Sequence, residues 1–272
     1  MNFTTIVDLA QWSYTFPNIL SLETFKRKYT FGIFTACPIT YGLLAAKLKQ
    51  ISPSYGDVYV ELIPSFFSFF KIGTMIPNHD WISAATMDRF VVPYFCKYEK
   101  YLHIDIDTLI VSDKIFDLEN SDTSIKGIAA TPNTTTLTEH AISFSNAEFL
   151  LDIIKDNKYT FNAGIVLFDT AKMKQNNFDE FVRDVYSRGD NVMYINDELI
   201  LNLYDQQFKI LDNKFNIKPY FYEEIKIQPD ETVVFHFSGK DYKPWNRTYF
   251  SNFSSLRKYY GLWEYYYYSV FN

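Results

Sequence analysis

A chain of 272 residues and 32.1 kDa, 47% hydrophobic and 21% charged, carries enough apolar material for one full-sized α/β core and excludes wholesale disorder. A formal charge of -6 excludes a broad electropositive face for nucleic acid, and no run approaches the roughly 20 apolar residues that cross a bilayer. The first residues lack the basic start and apolar run of a secretory signal, so the expectation is a cytoplasmic protein with Cys37 and Cys96 as buried, reduced thiols.

Residues 1–29 read as an N-terminal extension, with Pro17 in its middle and Lys26, Arg27 and Lys28 at its end. The regular pattern then starts with the β-favouring run Phe31–Ala36, followed by Pro38 as a breaker and the helix-forming stretch Tyr41–Gln50. A second strand fits Asp57–Ile63, a helix fits Trp81–Phe95, and a third strand fits Tyr101–Ile104. Further strands fit Ile125–Ala130, Ile165–Phe168 and Val233–Phe237, while Phe178, Phe181, Val182, Val185 and Tyr186 recur at helical spacing. The threonine-rich segment Thr131–Glu139 reads as a mobile loop or lid. Strands alternating with helices imply an α/β domain over residues 30–250, with a Rossmann-like, mainly parallel central sheet flanked by helices. Residues 251–272, with the run Tyr265–Tyr268, read as an aromatic C-terminal helix packed on that domain; membrane-surface docking is its rival.

The sharpest chemical signal is the apolar run ending in Asp105 and Asp107 with one residue between them. In open α/β sheets ligands gather at the carboxyl ends of strands. Two carboxylates this close raise one another's pKa unless a cation separates them, and a hard Mn²⁺ or Mg²⁺ ion shared with substrate phosphates is the natural resolution. The bland alternative is a solvated acid pair at a turn. A second apolar strand reaches His236 and runs into a loop with Gly239, Lys240 and Lys243. An anionic diphosphate would use a metal and these lysines together. Of the other histidines, His103 reads as buried in its strand, and His79 and His140 as loop or surface residues.

Taken in order, these blocks resemble the retaining glycosyltransferases of family 8, which include glycogenin and bacterial lipooligosaccharide galactosyltransferases. The resemblance runs from about Phe31 to Tyr249. Phe31–Gln50 is similar to the strand and helix that hold uridine, with Thr35 and Tyr41 at the matching positions, and Arg89 matches a basic residue that contacts the donor phosphates. Asp105-Ile106-Asp107 matches the DxD metal motif, and Phe161-Asn162-Ala163-Gly164 matches the block whose Asn and backbone touch the donor sugar. Asn196–Asn202 resembles the Asp-Gln-x-x-x-Asn block beside the anomeric carbon, and His236–Trp245 resembles the closing His-x-x-Gly-x-x-Lys-Pro-Trp. Asn133 stands where relatives often place a sugar-binding Asp. The chain departs from the pattern at Glu198, where the family has Gln, and in a His-to-Lys spacing one residue longer, so Lys243 or Lys240 is expected to reach the β-phosphate.

The resemblance implies a single GT-A fold and metal-dependent transfer of a hexose from a UDP-sugar to a glycan or protein acceptor, with retention. UDP-glucose is the first expectation, then UDP-galactose or UDP-GlcNAc, and a homodimer is compatible with this reading. Asp105, Asp107 and His236 would hold the metal, Arg89 and Lys243 would support the departing UDP, and Asp197 and Glu198 would flank the reacting carbon. Front-face attack with Asp197 as orienting group is preferred over a covalent intermediate. Rival readings are a non-catalytic sugar-nucleotide or glycan-binding module and a haloacid-dehalogenase-type phosphatase, whose motif Asp-Ile-Asp-Thr superficially resembles. Self-glycosylation on Tyr220, Tyr222 or the Tyr265–Tyr268 run competes with plain packing of those tyrosines.

Overall fold

Seven strands form the central sheet of the computed structural model, which describes residues 1–72, 84–144, 147–188, 196–219, 231–246 and 256–271. In chain order they are β1 (Asn2–Ile6), β2 (Tyr29–Thr35), β3 (Gly56–Leu62), β4 (Lys100–Ile104), β6 (Ile128–Thr136), β7 (Tyr159–Asp169) and β8 (Lys209–Ile210), arranged spatially as β3-β2-β1-β4-β7-β6-β8. Pairing is antiparallel only where β7 meets β4 and β6; the rest is parallel, giving the mixed, mainly parallel sheet expected of an α/β fold. A separate antiparallel ribbon joins β5 (Thr108–Ile110) to β9 (Val234–His236).

Residues 1–29 are not an extension. β1 lies in the middle of the sheet, between β2 and β4, and helix α1 (Phe16–Thr24) follows it with Pro17 in its first turn rather than as a breaker. The two threonines of β1 look polar in sequence, yet β-branched side chains suit a buried strand. Thr4 Oγ1 lies 3.4 Å from His103 Nδ1, its partner residue on β4.

Thr131–Glu139 is likewise not a loop. Its first part belongs to β6, which pairs with β7 through Pro132 and Thr136 across shifts in register, and a capping box between Thr136 and Glu139 then starts a helical turn. The helix expected at Trp81–Phe95 is, in its described part, a 3-10 stretch over Ala84–Phe90 and one α turn over Val92–Phe95. Cys37 and Cys96 form no disulfide and are half-buried rather than buried.

The sheet's two faces carry separate cores. Along β7, Ile165 and Leu167 point into one, with Phe3, Phe31 and Leu102, while Val166 and Phe168 point into the other, with Phe34, Phe90 and Tyr101. Helix α2 (Pro38–Ile51) packs on the first face through Leu44, and α3 (Phe178–Ser187) on the second through Phe178, Val182 and Val185. Helix α4 (Asp197–Tyr204) also enters the second core. The last helix, α5 (Arg257–Phe271), covers the ribbon: Tyr259 stacks on Phe235 at 4.3 Å and Tyr260 meets Phe237 edge-on at 4.9 Å. Among the described residues, no helix is long and apolar enough to cross a membrane.

Candidate active site

β4 ends at Ile104, and the chain then leaves the central sheet for the ribbon. Asp105 N donates to Gly164 O and Phe237 N to Asp107 O, each at 2.8 Å, so the two acids stand where the two sheets part. The turn between them is held from below by Thr108 Oγ1 and the buried Asn18 Nδ2 of α1, which donate to Asp105 O at 2.7 and 3.3 Å. Ribbon pairing sets His236 opposite Thr108, which brings its Nε2 to 3.4 Å from Asp107 Oδ1.

One ligand atom from each of Asp105, Asp107 and His236 lies within 4.8 Å of the others. Two carboxylates and an imidazole are the donor set of a divalent-cation site. The backbone is shaped for it too: a Cβ on Gly164 would lie 2.2 Å from His236 Cε1, so only a glycine there leaves the ring its place. Gly239, at φ +97°, turns the chain beyond His236 so that Lys243 Nζ reaches Asp107 Oδ2.

Arg89 links this group to the second part of the pocket. Its guanidinium, 4% exposed, donates to Asp105 Oδ1 at 2.9 Å, to Ala163 O at 2.6 Å and through Nε to Thr86 O at 3.1 Å, and the same Nε forms an ion pair with Asp197 Oδ2 at 2.9 Å. Burial alone would raise the Asp105 carboxyl, but Arg89 and His103 hold it well below the usual carboxylate range. Lys243 and His236 do the same for Asp107 against its own burial. Asp197 goes the other way: burial pushes it up to about 6, with Asp105 and Glu198 adding to that against the pull of Arg89.

Asn196 caps α4, its Oδ1 accepting from Leu199 N at 2.8 Å, and this places Asp197 and Glu198 in the helix's first turn. Asn202, one turn on, clamps the helix to β7: its amide exchanges hydrogen bonds with Phe161 N and O at 2.8 and 2.9 Å. Asn162 and Ala163 are therefore brought into direct contact with Glu198 on one wall of the pocket. The cavity measures about 490 Å³, within the usual range for a small-molecule site.

Most of the residues expected at the site meet here. Asp105, Asp107, His236, Gly239 and Lys243 line the cavity, as do Arg89, Asn162, Ala163, Gly164, Asp197 and Glu198. Asn133 stands behind Glu198 and donates to it without lining the cavity, and Lys240 is exposed outside it. Thr35 and Tyr41 are not brought in. Thr35 is buried at the end of β2, where its Oγ1 accepts from Cys37 N, and Tyr41 lies on α2 beside a shallow groove with Lys49 and Ser52. The physical reason is topological: β1, not β2, neighbours β4, so Ile6 at the end of β1 and Asp8 and Gln11 beyond it line the cavity instead. An apolar and β-branched run ending in an acid, Asn2–Asp8, was the available signal. His140 is also not a surface residue; it is buried, lines the cavity, and its Nδ1 lies 3.8 Å from Glu198 Oε1. His103 is buried as expected, whereas His79, Tyr220 and Tyr222 lie outside the described residues. Thr108, of the phosphatase-like Asp-Ile-Asp-Thr run, is buried within the ribbon and bonded to Asn18 and to Asp105 O.

Comparison with known proteins bears on the same residues. The family model described as glycosyl transferase family 8 matches residues 38–249. Glycosyltransferase GlyF of Streptococcus pneumoniae is 24% identical over 256 residues, covering 89% of this chain and 57% of its own. A Haemophilus influenzae protein bearing a glycosyltransferase name is 31% identical over 142 residues, 52% of this chain and 41% of its own. The chain thus spans about half the length of these curated relatives. Among solved structures, the galactosyltransferase LgtC in complex with donor and acceptor sugar analogues superposes with a TM-score of 0.70 at 19% identity, covering 97% of this chain and 95% of that one. That likeness shows a GT-A-type fold. With the family match reaching from the start of α2 past the ribbon and the loop of Lys243, the chain belongs to glycosyl transferase family 8.

Proposed function

We propose that the chain transfers a hexose from a UDP-sugar to a glycan or protein acceptor with retention at the anomeric carbon. The observation that carries this reading is the convergence, in one cavity, of an Asp-Asp-His group and Lys243 with an asparagine and two acids on the facing wall. Asp105, Asp107 and Nε2 of His236 would hold a divalent ion, Mn²⁺ first and Mg²⁺ second, whose charge when bound neutralises a departing diphosphate.

The chain's own residues supply the rest. Lys243 adds a mobile positive charge beside Asp107, available to a phosphate oxygen. Arg89 fixes Asp105 and Asp197 relative to each other, so the group that grips the diphosphate and the group that faces the sugar keep one geometry. Retention needs the acceptor on the face that UDP leaves, or a side chain that first takes the sugar. Glu198 already accepts from Asn162, Ala163 N and Asn133, and Asp197 Oδ2 is ion-paired with Arg89, which leaves both poor nucleophiles. We therefore favour front-face attack, with Asp197 orienting sugar and acceptor. LgtC is a galactosyltransferase, so UDP-galactose is tested alongside UDP-glucose and UDP-GlcNAc. Mn²⁺-dependent release of UDP from one of these, with an α-configured product by NMR, supports the reading; no release from any of them, or a trapped glycosyl-Asp197 or glycosyl-Glu198 by mass spectrometry, overturns the activity or the mechanism respectively.

A further inference from the structure

Three hydrogen bonds converge on the Glu198 carboxylate. Oε2 accepts from Asn162 Nδ2 at 2.8 Å and from Ala163 N at 3.2 Å, and Oε1 accepts from Asn133 Nδ2 at 3.3 Å. Neither asparagine amide is free to turn over. Gly164 N donates to Asn162 Oδ1 at 3.1 Å, and the buried Lys218 Nζ donates to Asn133 Oδ1. A flipped amide would set its NH₂ against a donor in each case. The constraint travels further: Asn216 Nδ2 donates to Asn162 Oδ1 at 3.2 Å, which turns Asn216 Oδ1 towards His236 Nδ1 at 3.0 Å and demands a proton on that nitrogen. Donation thus runs one way, inward from Lys218 and from His236, and ends on Glu198.

We propose that Lys218 and Asn133 are positioning residues for this site: they hold Glu198 as an acceptor at both oxygens, and Glu198, together with Gly164 N, holds Asn162 in the place and direction from which Asn216 keeps the His236 proton on Nδ1, so that Nε2 faces Asp107 with its lone pair. The inference rests on the reading of Asp105, Asp107 and His236 as a metal site. Second-neighbour partners of this kind set the tautomer and direction of a ligating imidazole. They also explain why the chain carries an acid at position 198. A glutamine there, with its oxygen towards Asn162, would set its NH₂ against that of Asn133, and Lys218 blocks the turn that would relieve the clash. Exchanging both residues removes the conflict. In the double variant N133D/E198Q the new amide donates to the new carboxylate, which still accepts from Lys218; this Asp and Gln pair is also the one in the family pattern.

The test is an exchange cycle on the full chain: wild type, N133D, E198Q and N133D/E198Q, titrated calorimetrically with MnCl₂ in the presence of UDP, with melting temperature recorded for each. Each single variant is expected to weaken Mn²⁺ binding by about tenfold. The double variant is expected to return to within about threefold of wild type, since coupled neighbours do not add. A second arm uses Lys218→Met, which frees the Asn133 amide to turn; in that background E198Q is expected to cost less than about threefold. The proposal is overturned if the single losses multiply in the double variant, if the variants change only melting temperature, or if the wild type binds no Mn²⁺. UDP release from UDP-glucose and UDP-galactose, run in parallel, separates the two claims: rescue by exchange without any turnover sinks the proposed activity alone, and turnover without rescue sinks the relay alone.

Discussion

Gly164→Ala probes the metal group without touching a ligand. A Cβ at this position would lie 2.2 Å from His236 Cε1 and 2.9 Å from both ring nitrogens, where ordinary contact is 3.4–4 Å. The ring would have to withdraw by roughly 1 Å, but it is 3% exposed and its Nδ1 is held by Asn216 at 3.0 Å. Metal–ligand distances tolerate only about 0.2 Å of error. Gly164→Ala should therefore weaken Mn²⁺ binding by about 100-fold, the upper range for a disturbed ligand environment, and lower stability by about 1–3 kcal/mol through overpacking. Calorimetric titration with Mn²⁺ and UDP reads the first effect, and urea melts read the second. In an H236A background the ring is gone, so the same substitution should cost almost no stability. Wild-type Mn²⁺ affinity in G164A, or an equal stability loss in both backgrounds, would refute the steric account.

Burial raises the Asp88 carboxyl to about 6, opposed only by its hydrogen bond from Phe66 N. Folded Asp88 keeps its proton where the unfolded carboxyl has lost it, so this group's stabilising effect is present at low pH and fades as pH rises through about 6, by up to about 3 kcal/mol. Urea melts should show Asp88→Asn gaining on wild type between pH 4 and 7; parallel curves would contradict this. Asn202→Ala strands Phe161 N and O, and should destabilise by about 2–4 kcal/mol, measured in the same melts. Lys243→Met should weaken UDP binding by about tenfold in calorimetry, because it removes the charge at Asp107, whereas Lys240→Met, outside the cavity, should stay within about twofold. Equal losses from the two lysines would reopen the assignment of Lys243.

The parts of the site that were legible in sequence are those whose chemistry is compressed into short blocks. Asp105-Ile106-Asp107 follows an apolar run whose end marks a strand stopping at a surface, whereas Phe161–Gly164, inside β7, and Asn196–Asn202, opening α4, were legible only through their resemblance to family blocks. His236 was legible for the same reason as the acid pair. What the sequence hid depends on pairing between distant segments. Asn2–Ile6 is short and half threonine and isoleucine, so its burial follows only from having β2 on one side and β4 on the other. Thr35 and Tyr41, expected from the family resemblance, do not line the cavity, because β1 rather than β2 adjoins β4. His140 and Lys218 were missed because nothing near them in sequence resembles a site; the fold alone brings them near Glu198, His140 at 3.8 Å and Lys218 by way of Asn133.

A chain with net charge -6 lines its cavity with five carboxylates, Asp8, Asp105, Asp107, Asp197 and Glu198, and the last four would repel one another if each were left to solvent. The structure answers with buried or half-buried cations assigned to particular acids: Arg89 to Asp105 and Asp197, Lys243 to Asp107, and Lys218 to Glu198 by way of Asn133. The assignment is uneven in a way that matters chemically. Asp105 and Asp107 are held ionised, as metal ligands must be, while Asp197 is left near 6 although the same guanidinium touches it. One arginine thus serves two acids with opposite outcomes, because Asp197 sits deeper and faces Asp105 and Glu198, whereas Asp105 also has His103 at 3.3 Å. The sequence shows that these charges are present; only the fold decides which acid stays charged for a cation and which can exchange a proton near neutral pH.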